Sequence, residues 1–170
     1  RLKKNPQFLV CLSCKNTYPV KQGIPLLLPQ PEDNHDNGHY RFAGIDVFRL
    51  TQSLPTPFFL FGEDMVICNA LRLKNTFAAG GAKTKLYYSL KTCYETPVIQ
   101  VLKKLGYGAE VASGMELNMA LKIGFPPEDI IFDSPAKTEV ELTRAIRLGI
   151  HLINVDNLDE LHKLTKIFSR

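Results

Sequence analysis

No run of apolar residues in this 170-residue chain approaches the roughly 20 that a membrane-spanning helix requires. The stretch Ile24-Pro25-Leu26-Leu27-Leu28-Pro29 is short and bracketed by proline, so no membrane partner is expected. The N-terminus lacks an apolar core followed by a small-residue cleavage site, so no signal peptide is expected either. Cysteine is scarce: Cys11, Cys14, Cys68 and Cys93 are too few and too unevenly spaced for a disulfide framework, which points to a reduced, cytoplasmic setting. A basic stripe interleaved with aromatics is absent from the main body. Residues 1–30 hold Arg1, Lys3, Lys4, Lys15 and Lys21 without an acid, whereas the remainder sets 16 bases against 17 acids, so the net charge of +4 does not imply nucleic acid. No glycine-rich phosphate loop follows any candidate strand, and there is no nucleophile elbow, H-E-x-x-H helix or pair of catalytic carboxylates.

What is present is an ordinary globular composition, 45% hydrophobic and 22% charged, enough for one sizeable core. The chain opens on Arg1 rather than methionine and closes on a helix-like stretch, so a fragment is expected. Residues 1–30 form a small first segment. Its Cys11-x-x-Cys14 would present two thiolates to one metal, and tetrahedral zinc normally takes four ligands, so the pair is half a zinc site. With the following Tyr18-Pro19-Val20 and Gly23-Ile24-Pro25-x-Leu27-Leu28-Pro29, the segment resembles the second half of the zinc-ribbon domains of the tRNA methyltransferase activator family. Residues 31–53, polar at their start, read as a linker, and residues 54–170 as the main domain.

That main domain opens with an expected short strand in Leu54–Phe61 and a helix from Glu63 to Phe77, with Val66, Ile67, Ala70, Leu71 and Phe77 at helical spacing and Cys68 as a small core residue. The apolar run Leu86-Tyr87-Tyr88-Ser89-Leu90 then reads as a buried strand ending on Lys91, with Tyr87 and Tyr88 packing in the core. Four strand-helix units follow in succession. Thr96-Pro97 opens the first helix as N-cap and N1 proline, and Val98, Val101, Leu102 and Leu105 give it an apolar face ended by Gly106. Strands at 109–112, 130–132 and 152–155 each precede a capped helix: Ser113 with Glu116, Thr138 with Glu141, and Asn157 with Glu160. Repeated units of this kind require a parallel sheet with right-handed crossovers, either doubly wound or a (β/α)8 barrel. In a barrel, a residue at the carboxyl end of a strand faces the active site, which singles out Lys91.

Four stretches taken in order resemble the fold-type III decarboxylases, the family of diaminopimelate and ornithine decarboxylases. They are Tyr88-Ser89-Leu90-Lys91-Thr92, Gly108-Ala109-Glu110-Val111-Ala112-Ser113-Gly114-Met115-Glu116-Leu117, Gly124-Phe125-Pro126-Pro127-Glu128-Asp129-Ile130-Ile131 and Asn154-Val155-Asp156-Asn157-Leu158-Asp159-Glu160-Leu161. The resemblance implies an α/β fold that is the first half of a (β/α)8 barrel, its first four β-α units. It implies pyridoxal 5'-phosphate as cofactor, with Lys91 forming the internal Schiff base and Glu110, where the family usually has aspartate, beside it. A lysine on a desolvated strand end loses its charge more readily, and the neutral amine is the nucleophile. Ser113 and Glu116 match the same motif, but a capping box explains both; Lys137 also matches a family position, and a solvated loop lysine explains it equally well.

The family implies decarboxylation of an amino acid or a carrier-bound amino acid by a homodimer in the complete protein. Its phosphate loop, ring-stacking histidine and ring-nitrogen acid lie in later strands, so the 170 residues alone are expected to be inactive. Two alternatives remain: a barrel homologue that binds or regulates without catalysis, and a racemase of the same fold type. Lys91 precedes Thr92-Cys93-Tyr94-Glu95 rather than the racemases' Ala-Asn-Ala-Tyr-Gly-His-Gly.

Overall fold

The computed structural model describes residues 2–4, 8–11, 17–21, 24–25, 35–36, 39–81 and 83–169. The chain divides into two compact units, Arg1–Phe59 and Leu60–Arg170. In the first, β1 (Leu2–Lys4), β2 (Phe8–Cys11), β3 (Thr17–Lys21) and β4 (Ile24–Pro25) form an antiparallel sheet in sequential order. Of residues 31–53, read as a linker, the described ones carry regular structure. Strands β5 (His35–Asp36), β6 (His39–Phe42) and β7 (Ile45–Asp46) pair antiparallel, and α1 (Val47–Ser53) follows. Two local devices explain why. Ala43 and Gly44 both take positive φ, 50° and 79°, the twist of a two-residue hairpin turn, and Asp46 caps α1 by accepting from the Arg49 amide at 3.2 Å.

The second unit begins with α2 (Glu63–Ala79) and then alternates strictly: β8 (Tyr87–Ser89), α3 (Thr96–Lys104), β9 (Gly108–Val111), α4 (Gly114–Ile123), β10 (Ile130–Phe132), α5 (Glu139–Leu148), β11 (Leu152–Ile153) and α6 (Leu158–Phe168). The four strands form one parallel sheet in the order β11-β10-β9-β8, the four β-α units expected. The strand expected in Leu54–Phe61 does not form. Pro55 and Pro57 have no amide hydrogen to give to a ladder, and the segment is irregular through to Gly62. Cys68 is exposed, not a core residue, because α2 buries only Ala70 fully.

Register decides which side chains share a face. Ala109 pairs with Ile130 and Val111 with Phe132, and all four are fully buried with Leu90, Ile99, Leu117, Ala120 and Ala145 on the helix side. Tyr88 packs here as well. The alternate residues Ser89, Glu110, Ile131 and Leu152 form a row on the opposite face, since side chains alternate along a strand. Among the described residues nothing closes this face into a barrel, and Leu152 is exposed. Tyr87 lies over Gly108 on this side, where an added Cβ would sit 2.4 Å from the Tyr87 ring, and stacks on His151 with ring centroids 6.1 Å apart.

Within the second unit, successive β-α repeats are tied to one another by side chains, some at the amino ends of the strands and some at the carboxyl ends. At the amino end, Lys74 of α2 donates to the Leu105 carbonyl at 2.7 Å, and Lys103 of α3 donates to the Ile123 carbonyl at 3.3 Å. Each lysine thus caps the carboxyl end of the next helix, where orphan carbonyls and the helix dipole favour a cation. At the carboxyl end, the third residue of α4, α5 and α6 is a glutamate whose carboxylate reaches out of its own helix, as described next.

Candidate active site

Lys91 does not lie on β8 itself. The strand ends at Ser89, and Leu90–Thr92 form a 3-10 turn closed by the Cys93 amide donating to Leu90 O at 3.2 Å. Leu90 is fully buried, so it pins the turn to the core, while Lys91 projects from it. The Lys91 ammonium lies 3.4 Å from Glu110 Oε1, and the Ser89 hydroxyl donates to the same oxygen at 2.9 Å. The parallel register produces this triad: Ser89 and Glu110 are direct partners across β8 and β9. The Lys91 side chain is 56% exposed and that of Glu110 21%, so the expected desolvation of the amine is not met among the described residues.

The other residues singled out by sequence fall into three internal ties. Ser113 Oγ accepts from the Glu116 amide at 3.2 Å, half of the expected capping box. The reciprocal half is missing, because the Glu116 carboxylate accepts instead from the Ala112 amide at 2.8 Å and from the Tyr94 hydroxyl at 3.0 Å. Thr138 and Glu141 do form a full box, and Glu141 Oε1 also accepts from the Gly114 amide at 2.7 Å, joining α5 to the start of α4. Burial pushes the Glu141 carboxyl up, but the hydrogen bonds from Thr138 and Gly114 and the charge of Lys137 outweigh it and hold the group below its ordinary value.

Lys137 is not a solvated loop lysine. Its side chain is 0% exposed and that of its partner Glu160 1%, with Nζ 2.9 Å from Glu160 Oε2. Nζ also donates to the Ser134 carbonyl at 2.6 Å and lies 5.9 Å from the Phe132 ring centroid. Glu160 Oε1 accepts from the Lys137 amide at 2.9 Å and Oε2 from the Asp156 amide at 3.1 Å, so one carboxylate fixes the loops after both β10 and β11. Neither Lys137's burial nor Tyr94 was visible in the sequence; the only signal for the three ties was a glutamate at the third position of each helix. Of the half zinc site, Cys11 lies on β2, and Cys14 lies outside the described residues. No helix among the described residues is long and apolar enough to cross a membrane.

A parallel β/α sheet that presents an amine and a carboxylate together at its strands' carboxyl ends places them where β/α-barrel enzymes carry their active sites. Residues 64–170 match the family described as pyridoxal-dependent decarboxylase, pyridoxal binding domain, and the chain belongs to that family. It is similar to the diaminopimelate decarboxylase of Bacillus methanolicus, 33% identical over 135 residues, covering 79% of this chain and 31% of the relative. The crystal structure of diaminopimelate decarboxylase from Helicobacter pylori complexed with L-lysine matches with a TM-score of 0.65 and 31% identity, over 73% of this chain and 31% of that one. Ornithine decarboxylase from Entamoeba histolytica matches with a TM-score of 0.61 and 28% identity, over 71% and 38% respectively. The sheet is therefore the N-terminal part of the family's barrel, and the chain spans about 31% of the length of the curated relative.

Proposed function

We propose that this chain is the cofactor-anchoring part of a pyridoxal 5'-phosphate-dependent amino-acid decarboxylase, with Lys91 as the amine that bonds to the cofactor's aldehyde and Glu110 as its paired acid. The observation that supports this most is the placement of Lys91 one turn past a parallel strand, 3.4 Å from Glu110. The donor set suits the cofactor. Attachment to an aldehyde needs a primary amine with room to move, and the half-exposed Lys91 has it. Lys137, by contrast, has its ammonium enclosed by Glu160, Ser134 and Phe132.

When bound, pyridoxal phosphate supplies the conjugated ring that takes up the electron pair left as a carboxylate departs as carbon dioxide. The remaining duties assigned here fall to side chains. Glu110 holds and orients the Lys91 ammonium, the Ser89 hydroxyl fixes the Glu110 carboxylate, and buried Leu90 anchors the turn beneath them. At the starts of α4, α5 and α6, the amides of Gly114, Glu116, Glu141 and Glu160 are taken up by Glu141, Ser113, Thr138 and Asn157 respectively. On the family resemblance, the phosphate is assigned to other parts of the complete protein. The substrate we infer is an α-amino acid, and the names of the relatives favour diaminopimelate over ornithine. The complete protein is assigned as a homodimer on the family resemblance and as cytoplasmic on its scarce, unevenly spaced cysteines.

Borohydride reduction of the complete protein with its cofactor, followed by peptide mapping, tests the assignment. The pyridoxyl label is expected on Lys91, and a label on any other residue overturns it. Carbon dioxide release by the complete protein should vanish in Lys91→Ala, and the isolated 170 residues should release none.

A further inference from the structure

Tyr94 stands three residues beyond Lys91, in the loop between the 3-10 turn and α3. Its hydroxyl donates to Glu116 Oε1 at 3.0 Å, and that carboxylate is itself fixed by accepting from the Ala112 amide at 2.8 Å, just after β9. Glu116 is 4% exposed, so its position is set by its surroundings rather than by solvent. The hydrogen bond to Glu116, with burial and the same carboxylate's charge, raises the Tyr94 hydroxyl above its ordinary value and keeps it a donor.

The two flanks of the lysine-bearing turn are held very differently. On the N-terminal side Leu90 is fully buried. On the other side Thr92 and Glu95 are exposed and Cys93 is half-buried, and the first fully buried apolar side chain is Ile99, inside α3. The turn is closed by one backbone hydrogen bond, 3.2 Å from the Cys93 amide to Leu90 O. The Tyr94–Glu116 bond is the side-chain tie, among the described residues, that joins this flank to the neighbouring β-α unit.

Resting on the assignment of Lys91 above, we propose that Tyr94 is a positioning residue: its hydrogen bond to Glu116 sets the turn that aims the Lys91 amine, without Tyr94 touching the reacting atoms. A displacement of about 1 Å at a reacting group can cost on the order of a hundredfold in rate, and a single released flank should cost about tenfold.

The test uses the complete protein with bound cofactor and the variants Tyr94→Phe, Glu116→Gln and the double. Tyr94→Phe removes one hydroxyl from an exposed ring, so folding should persist, with the thermal midpoint within a few degrees of wild type. Its kcat should fall about tenfold at unchanged KM, and the visible circular dichroism of the bound cofactor, which reports how the lysine holds the ring, should change. Glu116→Gln keeps an acceptor oxygen for Tyr94 and should lie between wild type and Tyr94→Phe. The double variant should be no worse than the worse single, since both substitutions act on the same interaction. Wild-type kcat and cofactor dichroism in Tyr94→Phe, or losses that add in the double, overturn the proposal. Borohydride labelling is read in parallel. A wild-type label away from Lys91 brings down the lysine assignment and this proposal together, whereas a label on Lys91 with an unaltered Tyr94→Phe brings down the proposal alone.

Discussion

Replacing Lys137 with methionine removes the ammonium while keeping most of the side-chain volume. Lys137 and Glu160 are 0% and 1% exposed, so the variant leaves a carboxylate enclosed without its counter-charge. Losing one partner of a buried pair costs roughly 3–5 kcal/mol. The lower end, about 3 kcal/mol, applies because Glu160 still accepts from the Asp156 and Lys137 amides at 3.1 and 2.9 Å. Urea unfolding followed by far-ultraviolet circular dichroism should show this as a midpoint lower by roughly 1–3 M. Its pH dependence is a second readout. Burial pushes Glu160 up, but the Lys137 ammonium and the Asp156 and Lys137 amides outweigh it and hold the carboxyl below its ordinary value of 4.5. A carboxyl depressed in the folded state adds stability that is complete above the unfolded value and is lost as pH falls through the folded one. The gap between wild type and Lys137→Met should therefore be widest at neutral pH and narrow as the pH falls, first as the unpaired Glu160 of the variant takes up a proton and then as the wild-type carboxyl does. Adding Glu160→Gln should recover more than half of the loss, since no charge is then left buried. A cost under about 1 kcal/mol, or a gap that widens in acid, would refute this account of the pair.

Gly108→Ala should destabilise by at least about 2 kcal/mol in the same assay, by overpacking. The added Cβ would meet the Tyr87 ring at 2.4 Å and the Asp129 carbonyl at 2.7 Å, so Tyr87→Ala should fail to rescue it; full rescue would show that only the ring matters. The Tyr87 hydroxyl is buried with no partner among the described residues, and Tyr87→Phe should be neutral or stabilising by up to about 1 kcal/mol. Glu110→Gln keeps an acceptor for Ser89 but removes the charge facing Lys91; kcat for carbon dioxide release should fall about tenfold, and an unchanged kcat would remove Glu110 from the site.

The helices were readable from sequence because their signals are local. Thr138 with Glu141, glycine at 124 and 149 in left-handed conformation, and apolar spacing lie within a few residues of one another. At α3 the helix starts one residue early, on Thr96, with Glu95 as its cap. What escaped the sequence depends on distant partners. Lys137 looks like any loop lysine until Glu160, 23 residues on, is folded against it. Glu116 reads as a plain cap because its true partner, Tyr94, lies 22 residues upstream. Leu54–Phe61 was misread for a physical reason: apolar content favours a strand, but a strand also needs amide donors, and Pro55 and Pro57 have none. The Lys91–Glu110 proximity was reachable only through the parallel register, which family resemblance supplied and periodicity did not.

The ties between successive units also bear on how the sheet wall is made during translation. Units emerge from the ribosome in order, and each new one completes bonds already half prepared by the last. Lys74 and Lys103 wait for the carbonyls of the following helix, and Glu116, Glu141 and Glu160 reach back to groups already laid down. The wall thus lengthens like overlapping shingles, each fastened to its predecessor, at both ends where α4 joins α3 and at one end elsewhere. Insertions are tolerable between the fastening points but not across them, since a helix shifted by one residue would miss the group on its neighbour that fastens it.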